Sequence, residues 1–277
     1  MTKIIDGKKI RDEIKKDLIK EINKIDSKLK LVVIQVGNDP ASTIYVNNKK
    51  KLCEETGILF EHKKYDEITE EALIKEIKKL NQDKQITGIL VQLPLPKNIN
   101  EVRVIETIDY KKDVDGLTSK NIGNLYTKQT GIIPCTAYGI MKIFEYENID
   151  LEGKNAVIIG RSKLVGLPLI SLLLNKNATV TTCHTKTKNL EEITKKADIL
   201  VVAAGKKSLI NKNMINNKTI IIDVGINREN NTIYGDVDND VIDTCNMITP
   251  VPGGVGPLTV IMLINNVIEC YKLQNKQ

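Results

Sequence analysis

Five short stretches of the sequence carry residue types that could do chemistry. Tyr45 and Lys49 stand four residues apart, so on a helix a phenol and an ammonium would share one face. Gln92 directly precedes Leu93-Pro94-Leu95-Pro96, which cannot continue a strand ladder. Asp113-Val114-Asp115-Gly116 places two carboxylates in a polar connection, where side chains converge more often than they pack. Gly160-Arg161-Ser162-Lys163-Leu164-Val165-Gly166 follows an apolar run. A glycine turn between strand and helix turns backbone N–H groups and the positive end of a helix dipole toward an anion. Pro250-Val251-Pro252-Gly253-Gly254-Val255-Gly256-Pro257 combines rigid backbone with positions that let it approach a ligand closely.

The elements that must position these residues follow from periodicity. Ile10, Ile14, Leu18, Ile22 and Ile25 mark a helix that Asp6 can cap, and 31–36 is a continuous apolar run that predicts a buried strand. Helices are predicted over 41–55 and 69–80 and a strand over 87–92. Lys49 then lies on the helix that follows the first main strand, and Gln92 ends the next one. Both sit near the carboxyl ends of strands, where ligands gather in open α/β sheets. The stretch 109–135 breaks the rhythm, and 136–146 predicts a connecting helix. Beyond it come strands at 156–159, 179–182, 199–203 and 219–224, helices at 164–174 and 190–196, and a last helix over 257–273 that returns to the first domain. The alternation predicts an α/β fold of two domains, each a mainly parallel sheet covered by helices, with a cleft between them. The division is 1–140, joined by 257–277, against 141–256.

The second domain reads as a Rossmann-type nucleotide-binding half. Its glycine loop departs from GxGxxG: Ser162 replaces the middle glycine and Gly166 comes one residue late, so the motif alone is a weak signal. About 20 residues further on, an NAD site would place a carboxylate for the ribose. Here the sequence is Thr181-Thr182-Cys183-His184-Thr185-Lys186. With no carboxylate there, and with Arg161, His184, Thr185 and Lys186 able to hold a 2′-phosphate, the expected cofactor is NADP. His184 fits equally well as an imidazole capping the strand end. His62 and Cys135 lack chemical neighbours in sequence and read as structural, and Asp113 is as consistent with a turn as with a site.

Composition removes several classes of function. Lys plus Arg number 41 against 35 Asp plus Glu, a formal +6 spread over 277 residues, with no Trp and two Phe. Without a basic block or interleaved aromatics, a nucleic-acid partner is not expected. Apolar runs stay below ten residues against about 20 for a membrane span, and the N-terminus has no signal core, so no membrane partner is expected. Five scattered cysteines without a CxxC point to a reducing, cytoplasmic compartment. No His and carboxylate cluster suggests a metal.

Taken together and in order, Tyr45-Val46-Asn47-Asn48-Lys49, Val91-Gln92-Leu93-Pro94-Leu95-Pro96, Lys112-Asp113-Val114-Asp115-Gly116-Leu117, Gly160-Arg161-Ser162 and the 250–257 loop resemble the bifunctional methylenetetrahydrofolate dehydrogenase/methenyltetrahydrofolate cyclohydrolase family. The similarity spans essentially the whole chain. It implies an enzyme that oxidises 5,10-methylenetetrahydrofolate with NADP and hydrolyses the 5,10-methenyl product to 10-formyltetrahydrofolate. Hydride loss from a carbon between two nitrogens leaves a delocalised cation and needs positioning rather than a base; hydration of that cation needs proton transfer. By resemblance Lys49 moves that proton, Gln92 orients Lys49, Tyr45 borders the pterin and Asp115 anchors its amino edge. Pro252 and Gly253 line the substrate site. Gly160, Arg161, Ser162, Gly166, His184 and Thr185 hold the cofactor, with Ile226 at the nicotinamide. The family also implies a homodimer through the nucleotide domain. Three alternatives stay open: a dehydrogenase of another small substrate, a non-catalytic binding module, and a member that keeps one of the two activities.

Overall fold

A computed structural model describes residues 2–230 and 232–275. The chain opens with a two-residue strand, β1 (Lys3–Ile4), and helix α1 (Gly7–Ile22). Asp6 caps α1 as expected, its carboxylate accepting from the N–H groups of Lys8 at 3.0 Å and Lys9 at 3.1 Å. Strand β2 (Lys30–Val36) follows, then α2 (Pro40–Thr56). Helix α2 has its limits written locally: the Asp39 carboxylate accepts from Ser42 N–H at 2.7 Å, Pro40 opens the first turn, and Gly57 at φ 81° closes the last. Strand β3 (Leu59–Tyr65), α3 (Glu70–Gln82, capped by Thr69) and β4 (Gly88–Val91) complete a three-stranded parallel sheet of order β3-β2-β4. Two short helices follow, α4 (Glu101–Thr107) and α5 (Ser119–Tyr126).

Strand β2 is buried from Leu31 to Val36 because it is the central strand with helices over the sheet. Val32, Ile34, Leu73, Ile77, Ile89 and Val104 form its core, each side chain contributing about 1.5–3 kcal/mol by leaving water. Strand β3 was not expected, since Glu61, His62, Lys63 and Lys64 give it a polar composition. It is an edge strand, and its charges pair: Lys30 with Glu61 at 2.6 Å, and Lys63 with Glu76 at 3.1 Å. Helix α4, also unexpected, is short and depends on the Asn100 cap.

The second half contains α6 (Cys135–Tyr146), β5 (Asn155–Ile159), α7 (Gly166–Leu174), β6 (Thr179–Cys183), α8 (Leu190–Thr194), β7 (Ile199–Val202) and β8 (Ile220–Asp223). An antiparallel hairpin, β9 (Asn227–Glu229) with β10 (Thr232–Tyr234), was not foreseen; β11 (Met247–Ile248) and α9 (Val255–Asn275) end the chain. A six-stranded sheet has the order β1-β11-β8-β7-β5-β6 with every neighbour parallel. The order reverses around β5, which makes the carboxyl ends of β5 and β7 a topological switch point.

The chain forms two compact units: residues up to Glu13 with Thr136–Thr259, and Ile14–Cys135 with residues from Val260 onward. The expected division kept all of 1–140 in the first domain. The difference lies mainly at the N-terminus, where β1 pairs with β11 and Ile5 N–H donates to Ile248 O at 2.8 Å, so the first residues extend the six-stranded sheet. The last helix does return to the three-stranded unit: the Gln274 side-chain amide donates to Thr87 O at 2.8 Å and Lys111 O at 3.1 Å.

Candidate active site

Helix α2 leaves the carboxyl end of β2 and carries Tyr45 and Lys49 on one face. The half-buried Lys49 donates from Nζ to Gln92 Oε1 at 2.8 Å. Gln92 is itself fixed: its backbone N–H donates to Ile34 O at 2.8 Å, continuing the β2–β4 ladder by one bond, and its Nε2 donates to Leu93 O at 2.7 Å. With the Gln92 amide nitrogen committed to the backbone, only its oxygen faces the ammonium. Tyr45 lies one helical turn before Lys49 and is exposed.

Asp115 reaches the same end of the sheet because the connection after α4 bridges to β4 at Ile89 and Asp113. Asp113 organises this loop. Fully buried, it accepts from Gly116 N–H at 3.0 Å, Thr118 N–H at 2.8 Å and Asn121 Nδ2 at 3.0 Å. Of its two sequence readings, the turn is the one observed. Gly116, at φ 69°, has no room for a side chain against Ile132 O. Lys112 pins the loop's other flank through Nζ bonds to Leu80 O and Asp83 O. Asp115 is left half-buried without such backbone donors. Burial raises its pKa above the ordinary carboxylate value, and the Lys49 ammonium acts in the opposite direction. Lys49, Gln92 and Asp115 therefore form one group: an ammonium held by an amide oxygen beside a carboxylate.

Two supporting residues had no signal of this kind in the sequence. Asn266 on α9 is buried and donates from Nδ2 to Val114 O at 2.8 Å and Ile133 O at 2.9 Å, fixing the chain beside Asp115. Cys135, expected as a packed thiol, is buried, and burial pushes its pKa well up. Its Sγ lies 3.5 Å from Val114 O and 3.8 Å from Asp115 Oδ1. A cavity of about 950 Å³ at this end of the unit, lined by Asp66, Thr69, Glu70, Pro96 and Arg103 among others, includes none of Tyr45, Lys49, Gln92 or Asp115. The chemistry of the side chains, not cavity size, marks the site.

In the other unit, β5 runs into the loop 160–165 and α7. Gly160 has φ 123°, and a Cβ there would strike Ala203 O at the end of β7. A Cβ on Gly166 would strike Gly160 O, so helix and strand end approach as only glycine permits. Arg161, Ser162 and Lys163 are exposed, and Ser162 takes up donors at the start of α7, its Oγ accepting from Val165 N–H at 3.2 Å and its backbone oxygen from Leu167 N–H at 3.0 Å. At the end of β6, His184 is half-buried and Thr185 and Lys186 are exposed. His184 Nδ1 accepts from Lys186 N–H at 3.2 Å, and Thr187 Oγ1 accepts from His184 N–H at 2.8 Å. The imidazole thus shapes the turn. The glycine cradle and the absence of a carboxylate after β6 fit a phosphorylated dinucleotide.

Ile226 follows β8 and is 51% exposed. In the loop before α9, Pro252 is exposed and Gly253 adopts φ 108°. Gly254 N–H closes the loop onto Pro250 O at 2.8 Å, and Gly7 at the start of α1 packs so tightly on Gly254 that a side chain there would collide. Among the described residues no group of three or more His, Cys, Asp and Glu could hold a metal ion, and no helix is long and apolar enough to cross a membrane.

Family models for the tetrahydrofolate dehydrogenase/cyclohydrolase catalytic domain and its NAD(P)-binding domain match residues 5–115 and 134–275. The chain belongs to the tetrahydrofolate dehydrogenase/cyclohydrolase family. It is 52% identical to the bifunctional protein FolD of Lachnoclostridium phytofermentans over 274 residues, covering 97% of each chain. Among solved structures, the bifunctional FolD enzyme of Campylobacter jejuni superposes with a TM-score of 0.96 at 43% identity, covering 99% of this chain and 100% of that one. The Trypanosoma brucei dehydrogenase-cyclohydrolase, solved with NADP and an inhibitor, gives 0.94 at 33% identity, over 100% of this chain and 99% of that one. Membership agrees with the two-unit α/β fold and excludes a stand-alone binding module as the parent architecture.

Proposed function

We propose that this protein oxidises 5,10-methylenetetrahydrofolate to 5,10-methenyltetrahydrofolate with NADP and hydrolyses the product to 10-formyltetrahydrofolate. The observation that carries this reading is the Lys49–Gln92 hydrogen bond beside Asp115, which provides one proton-transfer group and one carboxylate anchor. Asp115 accepts two parallel hydrogen bonds from the amino and ring N–H edge of the pterin, as a carboxylate does from a guanidinium. Tyr45 offers its exposed ring to the pterin face, and Pro252 and Gly253 line the substrate.

NADP, when bound, supplies the hydride acceptor. The chain's part in that step is placement: the substrate's methylene carbon needs no base, because its two nitrogens take up the positive charge. In the second step water adds to the cation, and a proton must leave the attacking oxygen while another reaches a ring nitrogen. Lys49 Nζ performs this transfer, with Gln92 Oε1 restricting its rotation so that its remaining hydrogens or lone pair face the substrate. Gly160, Ser162 and Gly166 hold the pyrophosphate, Arg161, His184 and Thr185 with Lys186 hold the 2′-phosphate, and Ile226 meets the nicotinamide. NADP is accordingly preferred over NAD.

The same reading makes the protein a cytoplasmic homodimer formed through its nucleotide-binding unit, supplying 10-formyl groups for purine biosynthesis, without nucleic-acid or membrane partners. Family resemblance supports these points. The deciding experiment mixes the purified protein with 5,10-methylenetetrahydrofolate and either NADP or NAD and follows methenyl absorbance. A rise and then a decay with NADP is expected. Absorbance that never appears removes the dehydrogenase, and absorbance that never decays faster than the uncatalysed control removes the cyclohydrolase.

A further inference from the structure

Two buried aspartates in the nucleotide-binding unit are not accounted for by either reaction. Asp236, fully buried, accepts four hydrogen bonds: from Ala204 N–H at 2.7 Å, Gly205 N–H at 2.8 Å, Lys206 N–H at 2.8 Å and Asn227 Nδ2 at 2.9 Å. Asp223, 4% exposed at the end of β8, accepts three: from Gly225, Asp236 and Val237 N–H, each at 3.0 Å. The two are interlocked. A side chain on Gly225 would run into the Asp236 carboxylate, and one on Gly235 into that of Asp223.

Three consecutive N–H groups turned toward one point, with Gly205 at φ 64°, make a backbone nest of the kind that binds anions. Here the chain's own carboxylate fills it. The nest lies at the carboxyl end of β7, and Asn227 lies just past the end of β8, so one side chain ties together the loops leaving two central strands beside the switch point. Ile226 sits between the tethers, with Gly225 bound to Asp223 and Asn227 bound to Asp236. Its exposed side chain and peptide are fixed from both sides.

We propose that Asp236 is a positioning residue for hydride transfer, an internal anion that locks loops 203–206 and 225–227 into one rim and thereby sets the place of Ile226. The proposal rests on the reading that this unit binds NADP. It concerns NADP binding and the hydride step, since hydration of the methenyl cation makes no use of the rim.

The test uses full-length Asp236→Asn and Asn227→Ala beside the parent, with NADP affinity measured by titration calorimetry and both reactions assayed separately. An asparagine presents N–H to at least one of the backbone donors, so Asp236→Asn should weaken NADP binding about tenfold or more. Cyclohydrolase turnover of preformed 5,10-methenyltetrahydrofolate should stay within about twofold. Asn227→Ala leaves the nest intact and removes the Asn227 bonds to Asp236 and to Gly235 O on the far side of Ile226, so dehydrogenase kcat should fall about three- to tenfold with NADP affinity changed less than about twofold. If Asp236→Asn does not fold, the kcat against Kd split in Asn227→Ala decides alone. Parent-like NADP affinity and kcat in Asn227→Ala, or equal loss of both reactions in a folded Asp236→Asn, overturns the proposal. A parent protein that neither binds nor reduces NADP instead overturns the cofactor reading, and the proposal with it.

Discussion

Lys49 and Gln92, 43 residues apart in the chain, are joined by a 2.8 Å hydrogen bond from the ammonium to the amide oxygen. The bond ties the middle of α2 to the residue that ends β4, and the backbone bond from Gln92 to Ile34 makes that end part of the sheet. A flexible four-carbon side chain is thus held by a rigid element, which suits a group that must deliver a proton to one atom.

Substituting Lys49→Ala removes the proposed proton-transfer group while leaving the proposed carboxylate anchor. Hydrolysis of 5,10-methenyltetrahydrofolate should fall by roughly 10²- to 10⁴-fold, the usual worth of a positioned acid or base. NADPH formation from 5,10-methylenetetrahydrofolate should persist in part, with the methenyl product accumulating. Parallel loss of both rates with folate binding intact contradicts the assignment.

Removing the Asp115 carboxylate tests the anchor. Asp115→Ala should weaken folate binding at least tenfold, on the order of the 1.5–3 kcal/mol of a charge-assisted hydrogen bond. Because burial raises the Asp115 pKa, affinity in the parent should begin to fall on acidification at a higher pH than for an ordinary carboxylate. The Lys49 charge lowers that pKa, so Lys49→Ala should move the affinity midpoint further up. Equilibrium binding across pH reads both effects, and a midpoint that moves down in the variant argues against the pairing.

Cofactor choice should depend on Arg161. Its exposed guanidinium follows the glycine cradle, and no carboxylate stands after β6 to favour an unphosphorylated ribose. Arg161→Ala should raise KM for NADP about ten- to hundredfold and change KM for NAD little. Steady-state kinetics with both cofactors measure this directly; equal changes for the two would place Arg161 elsewhere.

Burial pushes the Asp223 carboxyl up to about 6, against an unfolded value near 4. Between those values the native state holds a proton that the unfolded chain has lost. The stability linked to this group is full below about pH 4 and is lost as pH rises through about 6, an effect on the order of 3 kcal/mol. Carbon-13 titration of the carboxyl should show a midpoint near 6. Urea unfolding at pH 4.5 and pH 7 should show the parent losing stability relative to Asp223→Asn over that interval. A carboxyl midpoint below 4 would mean that the three backbone donors outweigh burial.

Much of the architecture was legible residue by residue. Asp6 caps α1, the run 31–36 marks β2, and the glycine loop followed by no carboxylate after β6 points to a phosphorylated dinucleotide. These signals act within a few residues of one another, through capping, steric permission and burial of one face, so they survive in a linear reading. Strand β3 did not, because the charges along this edge strand are paired by Lys30 and Glu76 from other elements.

Only tertiary structure could decide the rest. The pairing of β1 with β11 moves the first residues of the chain into the nucleotide-binding unit, and nothing in Lys3-Ile4 specifies a partner more than 240 residues away. Asn266 beside Asp115, and Asp236 bound to Ala204, Gly205 and Lys206, look like ordinary polar residues until the fold removes water from around them. A hydrogen bond between distant segments leaves no periodicity and no propensity behind. Its partners are chosen by which groups are buried together, and that is settled when the sheets and helices pack.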